Sequence, residues 1–345
     1  MIIPITRITL QDVAEEAGVS LATVDRVLNR RPGVRATTVQ RVQSAIDRLG
    51  YRPDPLAVRL ARKESYRFCF IMPAGINRFM HLLEEQIGAA AEWLAGQRAF
   101  VEVKRVDVFD PETLACAIEG LDERYQGVAV VALDHPKVRA AIDDLVGRGV
   151  AVVTLVSDAP ASRRLRYVGI DNTAAGRTAG TLMGRFAGGR RGSVGVVAGS
   201  LALRDHAERQ LGFFQVISAE YPGLKVLQAR EGRDDIGRTG QVVQELLADN
   251  PDLVGLYNVG AGLEGLAAAL RERGRDQDII VVGHELTPHT RRFLLDGIVD
   301  AVINQDPGHE ARSAARLLLA HCSGDRIVPE QERIRIDIFI RDNLP

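Results

Sequence analysis

From Tyr66 to the end of the 345-residue chain, short apolar runs alternate with amphipathic stretches, and this alternation restricts the fold more than any other feature. The runs are Phe68–Met72, Val101–Val108, Gly127–Leu133, Val150–Leu155, Tyr167–Ile170, Ser193–Ala198, Val226–Ala229, Leu253–Tyr257, Ile279–Val282 and Val299–Ile303. Strands separated by helices join in parallel, because each helix carries the chain back to the same end of the sheet. About ten strands in 280 residues predict an α/β region of two doubly wound parallel-sheet lobes instead of a single sheet. Ligands in such folds sit beyond the carboxyl ends of the strands, so two facing lobes place a crevice between them.

The first 63 residues read differently. They hold 11 Lys and Arg against 6 Asp and Glu, a net +5, which leaves 33 against 39, a net −6, for the remainder. The whole-chain charge of −1 conceals a basic head on an acidic body, as expected where the head alone meets a polyanion. Thr9 offers a cap hydroxyl with Asp12 three residues on, starting a helix that runs through Ala17 and stops at Gly18. Ser20 caps a second helix over Leu21–Leu28. Only Gly18, Val19 and Ser20 separate the two, and so short a turn makes them cross steeply, as in a helix-turn-helix. Val13, Val19, Val24 and Val27 supply a small core, with Ala14 facing the turn. A third helix, Ala36–Leu49, carries Val39, Val42, Ala45, Ile46 and Leu49 on one stripe and closes at Gly50. Arg52-Pro53-Asp54-Pro55 breaks the chain before a short helical stretch, Leu56–Arg62, which reads as a hinge. The expected organisation is an all-α helix-turn-helix head over residues 1–53, a hinge helix and linker over 54–65, and a two-lobed effector-binding and dimerisation domain over 66–345.

Residues Thr9 to Asn29, with Leu49-Gly50-Tyr51-Arg52-Pro53 and Ala57-Val58-Arg59-Leu60-Ala61, resemble the head and hinge of the lactose/galactose repressor (LacI/GalR) family. The rest is similar to that family's periplasmic-binding-protein-like effector domain. The resemblance implies a homodimeric transcription regulator, most commonly a repressor, that binds pseudo-palindromic double-stranded operator DNA and responds allosterically to a small sugar, sugar acid or polyol. It implies that helix Leu21–Leu28 enters the major groove, with Leu21, Ala22 and Arg26 facing base edges. Arg26 is the candidate for bidentate pairing to guanine, worth about 1–3 kcal/mol of discrimination. Leu21 and Ala22 offer apolar contact, for instance to a thymine methyl. Ser20, Thr23 and Asn29 fall at phosphate-contacting positions, which set register. Asp25 stands where the family usually has serine, and either orients Arg26 or accepts from a cytosine amine. Leu60 matches the hinge leucine that family members wedge into the minor groove. The hinge is short and polar for an isolated helix, so it is expected to order on DNA.

The same resemblance assigns the crevice. Asn77 and Phe79, just after the first strand, correspond to the pocket mouth, with Phe79 able to stack on a sugar face. Asp158 follows the fourth strand. Arg209 stands three residues before Gly212-Phe213, matching an Arg-x-x-Gly-aromatic signature, and Asn258, Glu285 and Gln305 end three further strands. Carboxylates, amides and an arginine around an aromatic shelf pair many hydroxyls at once, whereas an apolar ligand leaves them unpaired. Two positions depart from the family pattern: Glu285 replaces a usual aspartate, and Val259-Gly260 replace polar residues that often follow Asn258.

Other signals point elsewhere less well. Gly260-Ala261-Gly262-Leu263-Glu264-Gly265, with Glu285 twenty residues beyond, superficially satisfies the dinucleotide fingerprint of an NAD-binding oxidoreductase, but that fingerprint normally opens its domain. His284 and His289 have the wrong spacing for a zinc protease motif, and Pro288 spoils the helix that would align them. There is neither a Gly-x-Ser-x-Gly elbow nor a phosphate loop, so no enzyme, cofactor or metal is expected. Cys69, Cys116 and Cys322 lack Cys-x-x-Cys spacing and read as buried free thiols. No apolar run reaches the roughly 18 residues of a membrane helix. Met1–Leu10 lacks a secretory core, so a cytoplasmic address is expected. A periplasmic sugar-binding protein would suit the body, but the missing signal and the attached head oppose it. Arg333–Pro345 reads as a final strand and tail without heptads, so no tetramerising coiled coil is implied.

Overall fold

The computed structural model describes residues 8–29, 31–51 and 65–345. The chain divides into two compact units, Met1–Glu64 and Ser65–Pro345.

In the first unit, α1 (Leu10–Ala17), α2 (Leu21–Leu28) and α3 (Ala36–Leu49) enclose a core of Val13, Ala14, Ala17, Val24, Val42 and Ala45. Thr9 and Asp12 cap each other: the Thr9 N–H donates to Asp12 Oδ2 at 2.7 Å, and the Asp12 N–H donates back to Thr9 Oγ1 at 3.3 Å. Gly18 turns the chain with φ 61°, a conformation open to it because it has no Cβ. Two residues later Ser20 Oγ accepts from the Thr23 N–H at 3.3 Å and starts α2. Val39 departs from the expected stripe and is 38% exposed. It sits one turn ahead of Val42, one of the two buried residues of α3.

The second unit holds two sheets. The first contains β1 (Tyr66–Pro73), β2 (Ala99–Val106), β3 (Gly127–Val130), β4 (Ala151–Leu155) and β5 (Arg166–Val168), in the all-parallel order β2-β1-β3-β4-β5. The second contains β6 (Gly192–Ala198), β7 (Leu224–Val226), β8 (Arg230–Glu231), β9 (Leu253–Asn258), β10 (Ile280–His284), β11 (Ala301–Asn304) and β12 (Asp337–Phe339). Its order is β12-β11-β10-β9-β6-β7, with β8 also beside β6, and β12 alone runs antiparallel to its neighbour. In both sheets the winding reverses at the first strand, β1 or β6. Loops leaving the carboxyl ends of neighbouring strands part there and open a crevice.

Each sheet is clad on both faces, which is why its strands read as unbroken apolar runs. On the first, α5 (Pro111–Glu119) and α6 (Pro136–Gly147) bury Leu114, Ile118, Ile142 and Leu145, while α4 (Arg78–Gly96) and α12 (Pro307–Ser323) bury Leu83, Ile87 and Leu318 opposite. On the second, α9 (Ile236–Asp249), α10 (Leu263–Glu272) and α11 (Pro288–Leu295) bury Leu246, Leu266 and Phe293. The other face carries α7 (Asn172–Ala187) and α8 (Arg204–Glu220), with Met183, Phe213 and Ile217. The α4/α12 and α7/α8 layers form one continuous apolar cluster across the lobes. The chain crosses between lobes after β5, after β11 and after α12, because α12 leaves the second sheet to pack on α4 and β4 of the first.

Some expectations shift. β2 starts two residues early, at Ala99. Of the expected strand Val226–Ala229 only Val226 lies in a strand: β7 ends there and β8 begins at Arg230, both paired to β6, through Val194 with Val226 and Val197 with Arg230. Of the cysteines only Cys69 is buried; Cys116 is exposed and Cys322 half-buried. No helix among the described residues is long and apolar enough to cross a membrane.

Candidate functional site

On α2, Val24 points into the core while Leu21, Ala22 and Arg26 are exposed; Ala22 and Arg26 lie one turn apart, with Leu21 beside them. The Ser20 and Thr23 hydroxyls hydrogen-bond each other at 2.9 Å at the exposed N-terminal end. Asn29 Nδ2 donates to the Asp25 carbonyl at 3.0 Å and to Asp25 Oδ1 at 2.8 Å, and Arg31 Nη1 reaches Asp25 Oδ2 at 3.1 Å. Asp25 therefore ties down the end of α2 and does not pair with Arg26. Adjacent residues on a helix diverge, whereas residues four apart share a face. Leu60 and the rest of the hinge lie outside the described residues.

Between the lobes lies a cavity of about 220 Å³. Asn77, Phe79, Arg209, Glu285 and Gln305, five of the seven residues expected there, line it. Asp158 and Asn258 do not. The Asp158 carboxylate is taken by Arg164, by Thr154 Oγ1 at 2.6 Å and by the Ala159 N–H at 2.8 Å. Asn258 turns its amide onto the Gly260 and Ala261 carbonyls, at 2.6 and 3.2 Å, and so shapes a loop that itself lines the cavity.

Arg209, 3% exposed, is the centre of the site. Its Nε donates to Asn172 Oδ1 at 2.8 Å and its Nη1 to the Val259 carbonyl at 3.0 Å. Nη2 has no hydrogen-bond partner among the described residues and stands 3.9 Å from Glu285 Oε1. Burial alone would lower the arginine pKa, but the Asp205 and Glu285 carboxylates more than compensate and hold it above its ordinary value. Close helix packing fixes its place: a Cβ on Gly176 of α7 would sit 1.9 Å from the Arg209 carbonyl, and one on Gly212 of α8 would sit 2.2 Å from the Thr173 carbonyl. The glycine of the Arg-x-x-Gly signature is thus a condition for backbone contact between α7 and α8.

Glu285 follows β10 with φ 69°. Its N–H donates to the Ile303 carbonyl at 2.9 Å, and its own carbonyl accepts from Thr290 Oγ1 at 2.8 Å. Gln305 Nε2 donates to Glu285 Oε1 at 2.8 Å. Burial pushes the Glu285 carboxyl up to about 7, despite the Arg209 charge. Burial, with the Arg209 and His206 charges, drives His284 well below the usual histidine range, leaving a neutral ring whose Nε2 meets the Tyr257 hydroxyl at 2.8 Å.

Sequence reasoning missed Asp205, His206 and Asp234, which also line the cavity. Asp205 stands four residues before Arg209, on the same helical face, and that spacing is the one signal the sequence carries for it. Asp234 accepts from Asn77 Nδ2 at 3.2 Å, joining the lobes across the mouth, and Arg204 Nη1 reaches Asp134 Oδ2 at 3.1 Å in a second bridge. Five described non-glycine residues have positive φ, and four of them, Val156, Arg233, Asp234 and Glu285, line the cavity. Such strain gathers where surrounding structure holds a ligand clamp in shape. The Gly260–Gly265 segment has a packing explanation: a Cβ on Gly265 would lie 1.8 Å from the Ile236 carbonyl.

Residues 9–54 match bacterial regulatory proteins of the lacI family, and residues 68–326 match the periplasmic binding protein domain. The chain belongs to the LacI/GalR family. Catabolite control protein A of Streptococcus mutans serotype c is 42% identical over 80 residues, which are 23% of this chain and 24% of that protein. The chain thus spans about a quarter of the length of the first curated relatives it matches. The HTH-type transcriptional regulator GalS of Salmonella typhimurium is 27% identical over 271 residues, 77% of this chain and 76% of GalS. Among solved structures, the glucose-galactose binding protein GanP of Geobacillus stearothermophilus shares the fold, with TM-score 0.72 and 23% identity over 82% of this chain and 99% of GanP. A Burkholderia graminis solute binding protein in complex with D-arabinose gives TM-score 0.74 at 24% identity, covering 81% of this chain and 96% of its own. In this LacI/GalR member the first match ends at residue 54 and the second begins at 68, so the interval falls on the stretch that the sequence reads as a hinge.

Proposed function

We propose that this LacI/GalR protein is a sequence-specific DNA-binding transcription repressor of the cytoplasm, whose operator affinity is set by a small sugar-like ligand held between the two lobes. The observation that carries the reading is an exposed arginine on the second helix of a helix-turn-helix, borne by the same chain as a crevice with unpaired buried polar groups. Arg26 pairs with a guanine edge, Leu21 and Ala22 contact apolar base surface, and Ser20, Thr23 and Asn29 reach phosphates. Asn29 must then exchange its bond to Asp25 for one to DNA.

The working form is a homodimer, because two heads related by two-fold symmetry fit the two halves of a pseudo-palindromic operator. Residues 1–53 act as the head, 54–65 as the hinge with Leu60 as the minor-groove wedge, and 66–345 as the effector and dimerisation domain. Ligand bridges the lobes and so favours one spacing of the paired hinges. Its effect on DNA equals its differential affinity for the two states, typically about 1–3 kcal/mol. The structural neighbours, a glucose-galactose binding protein and a solute binding protein in complex with D-arabinose, support a carbohydrate in the crevice.

Gel-shift titration of the full-length protein against fragments from its own genomic neighbourhood tests this reading. One fragment should be retained preferentially, and Arg26→Ala should lose that preference while keeping salt-sensitive binding to any duplex. Unchanged preference in the variant would reject the assignment of α2.

A further inference from the structure

Resting on the reading of the crevice as the effector site, we propose that it takes an uncharged single-ring sugar or polyol and rejects the carboxylated and phosphorylated forms of the same molecule. Five buried polar atoms of cavity-lining residues have no partner among the described residues: Ser157 Oγ, Asp205 Oδ1, Arg209 Nη2, His284 Nδ1 and Gln305 Oε1. Asp205 and Gln305 present acceptors there, Arg209 a donor, and Ser157 and the neutral His284 ring can do either. A hydroxyl both donates and accepts, so a molecule with several hydroxyls satisfies such a mixed set. A carboxylate or an ionised phosphate only accepts, and sets oxygen against oxygen at Asp205 and Gln305.

Charge points the same way. Carboxylates of Asp205, Asp234, Asp235, Glu264 and Glu285 line the crevice. Against them stand Arg78, Arg209, Arg233 and His206, of which Arg209 and His206 are buried. The side-on edge of Arg209 is already broken, because Nε is bonded to Asn172, and Nη1 is committed to Val259. One nitrogen remains without a partner, which is not the pair of parallel N–H bonds by which arginine grips carboxylates and phosphates. Helix N-termini do converge here, and their dipoles favour anions. α8 and α10 both begin beside the cavity without a side-chain cap, but Asp205 and Glu264 already occupy their first turns. At α9 the cap is itself an acid: Asp235 accepts from the Arg238 N–H at 2.7 Å. The chain's own carboxylates stand where an anionic ligand would have to sit. The volume of about 220 Å³ is below the ~300–1,000 Å³ of sites for drug-sized ligands, which admits one ring and not an oligosaccharide.

Isothermal titration calorimetry of the full-length protein at neutral pH tests this, with galactose, arabinose and ribose each set beside its ring-retaining uronic acid and its terminal phosphate ester, and each alditol beside the open-chain aldonic acid and phosphate ester of the same carbon chain. At least one uncharged probe should bind, and its acid and phosphate should bind on the order of 100-fold more weakly. The shape-preserving double variant Asp205→Asn, Glu285→Gln, shown by thermal unfolding to be folded, should narrow that gap. A charged probe that binds as tightly as its parent, and loses affinity in Arg209→Met, overturns the inference while leaving the crevice as the effector site. A folded double variant with an unchanged gap overturns the role given to the carboxylates. If no probe of either series binds, the effector reading falls and takes the inference with it.

Discussion

On α2, Leu21, Ala22 and Arg26 stand in solvent on one regular helix, whereas the crevice gathers groups, about half of them buried, from loops that follow strands in both lobes. The exposed face loses little by being empty, since water already serves its polar atoms. The crevice holds buried atoms without partners and non-glycine residues at positive φ, each costing of order 1–3 kcal/mol until something offsets it. Stability and ligand binding are therefore entangled in the crevice and separable on the head. Substitutions on α2 should change what the protein binds and leave folding alone, while substitutions around Arg209 should change both.

The largest effect should come from Arg209→Met. It strands Asn172 Oδ1 and the Val259 carbonyl and leaves Asp205 and Glu285 without their cation, so chemical denaturation should show a loss of about 3–5 kcal/mol. A loss near zero would mean that the crevice is no more strained than the head. Next is Glu285→Gln, followed as stability against pH. The Glu285 carboxyl ionises near 7 when folded and near 4.5 otherwise. Below 4.5 it is protonated in both states and costs nothing; between 4.5 and 7 only the unfolded chain ionises, so stability falls as pH rises. Above 7 the loss levels off at about 3 kcal/mol. The glutamine variant should lack this decline, gaining on wild type across that window and not below it, and parallel curves would contradict the burial argument.

On the head, Arg26→Ala should cost about 1–3 kcal/mol of discrimination between operator and mismatched DNA in competition binding. Its unfolding free energy should stay within about 0.5 kcal/mol of wild type. A larger loss of stability would blur the contrast between the two sites. Smallest is Asp25→Ala, which removes the exposed contacts to Asn29 and Arg31 and should shift thermal unfolding by no more than about 1 kcal/mol.

What could be read in the sequence follows the same division. The Thr9–Asp12 box, the Gly18 turn and the Ser20 cap are local, and spacing alone reveals them. The two doubly wound lobes are legible because strands buried on both faces read as apolar runs, and Arg209 because Gly212, three residues on, is imposed by helix contact. Asp158 and Asn258 sit at the right strand ends, yet Arg164 captures one and the other folds onto its own loop. Nothing local tells which arginine will turn back on which acid. The positive φ of Val156 and Glu285 was equally hidden, since the residues that usually mark such backbone are glycine and asparagine.

If the proposed function holds, the crevice and the α2 face are coupled through one chain. Fluorescence anisotropy of a labelled pseudo-palindromic operator duplex, titrated with full-length protein with and without a saturating uncharged sugar that calorimetry shows to bind, tests it most directly. Operator affinity should change roughly 5–150-fold, with affinity for unrelated duplex unchanged. A sugar that fills the crevice and leaves the operator curve where it was would contradict it.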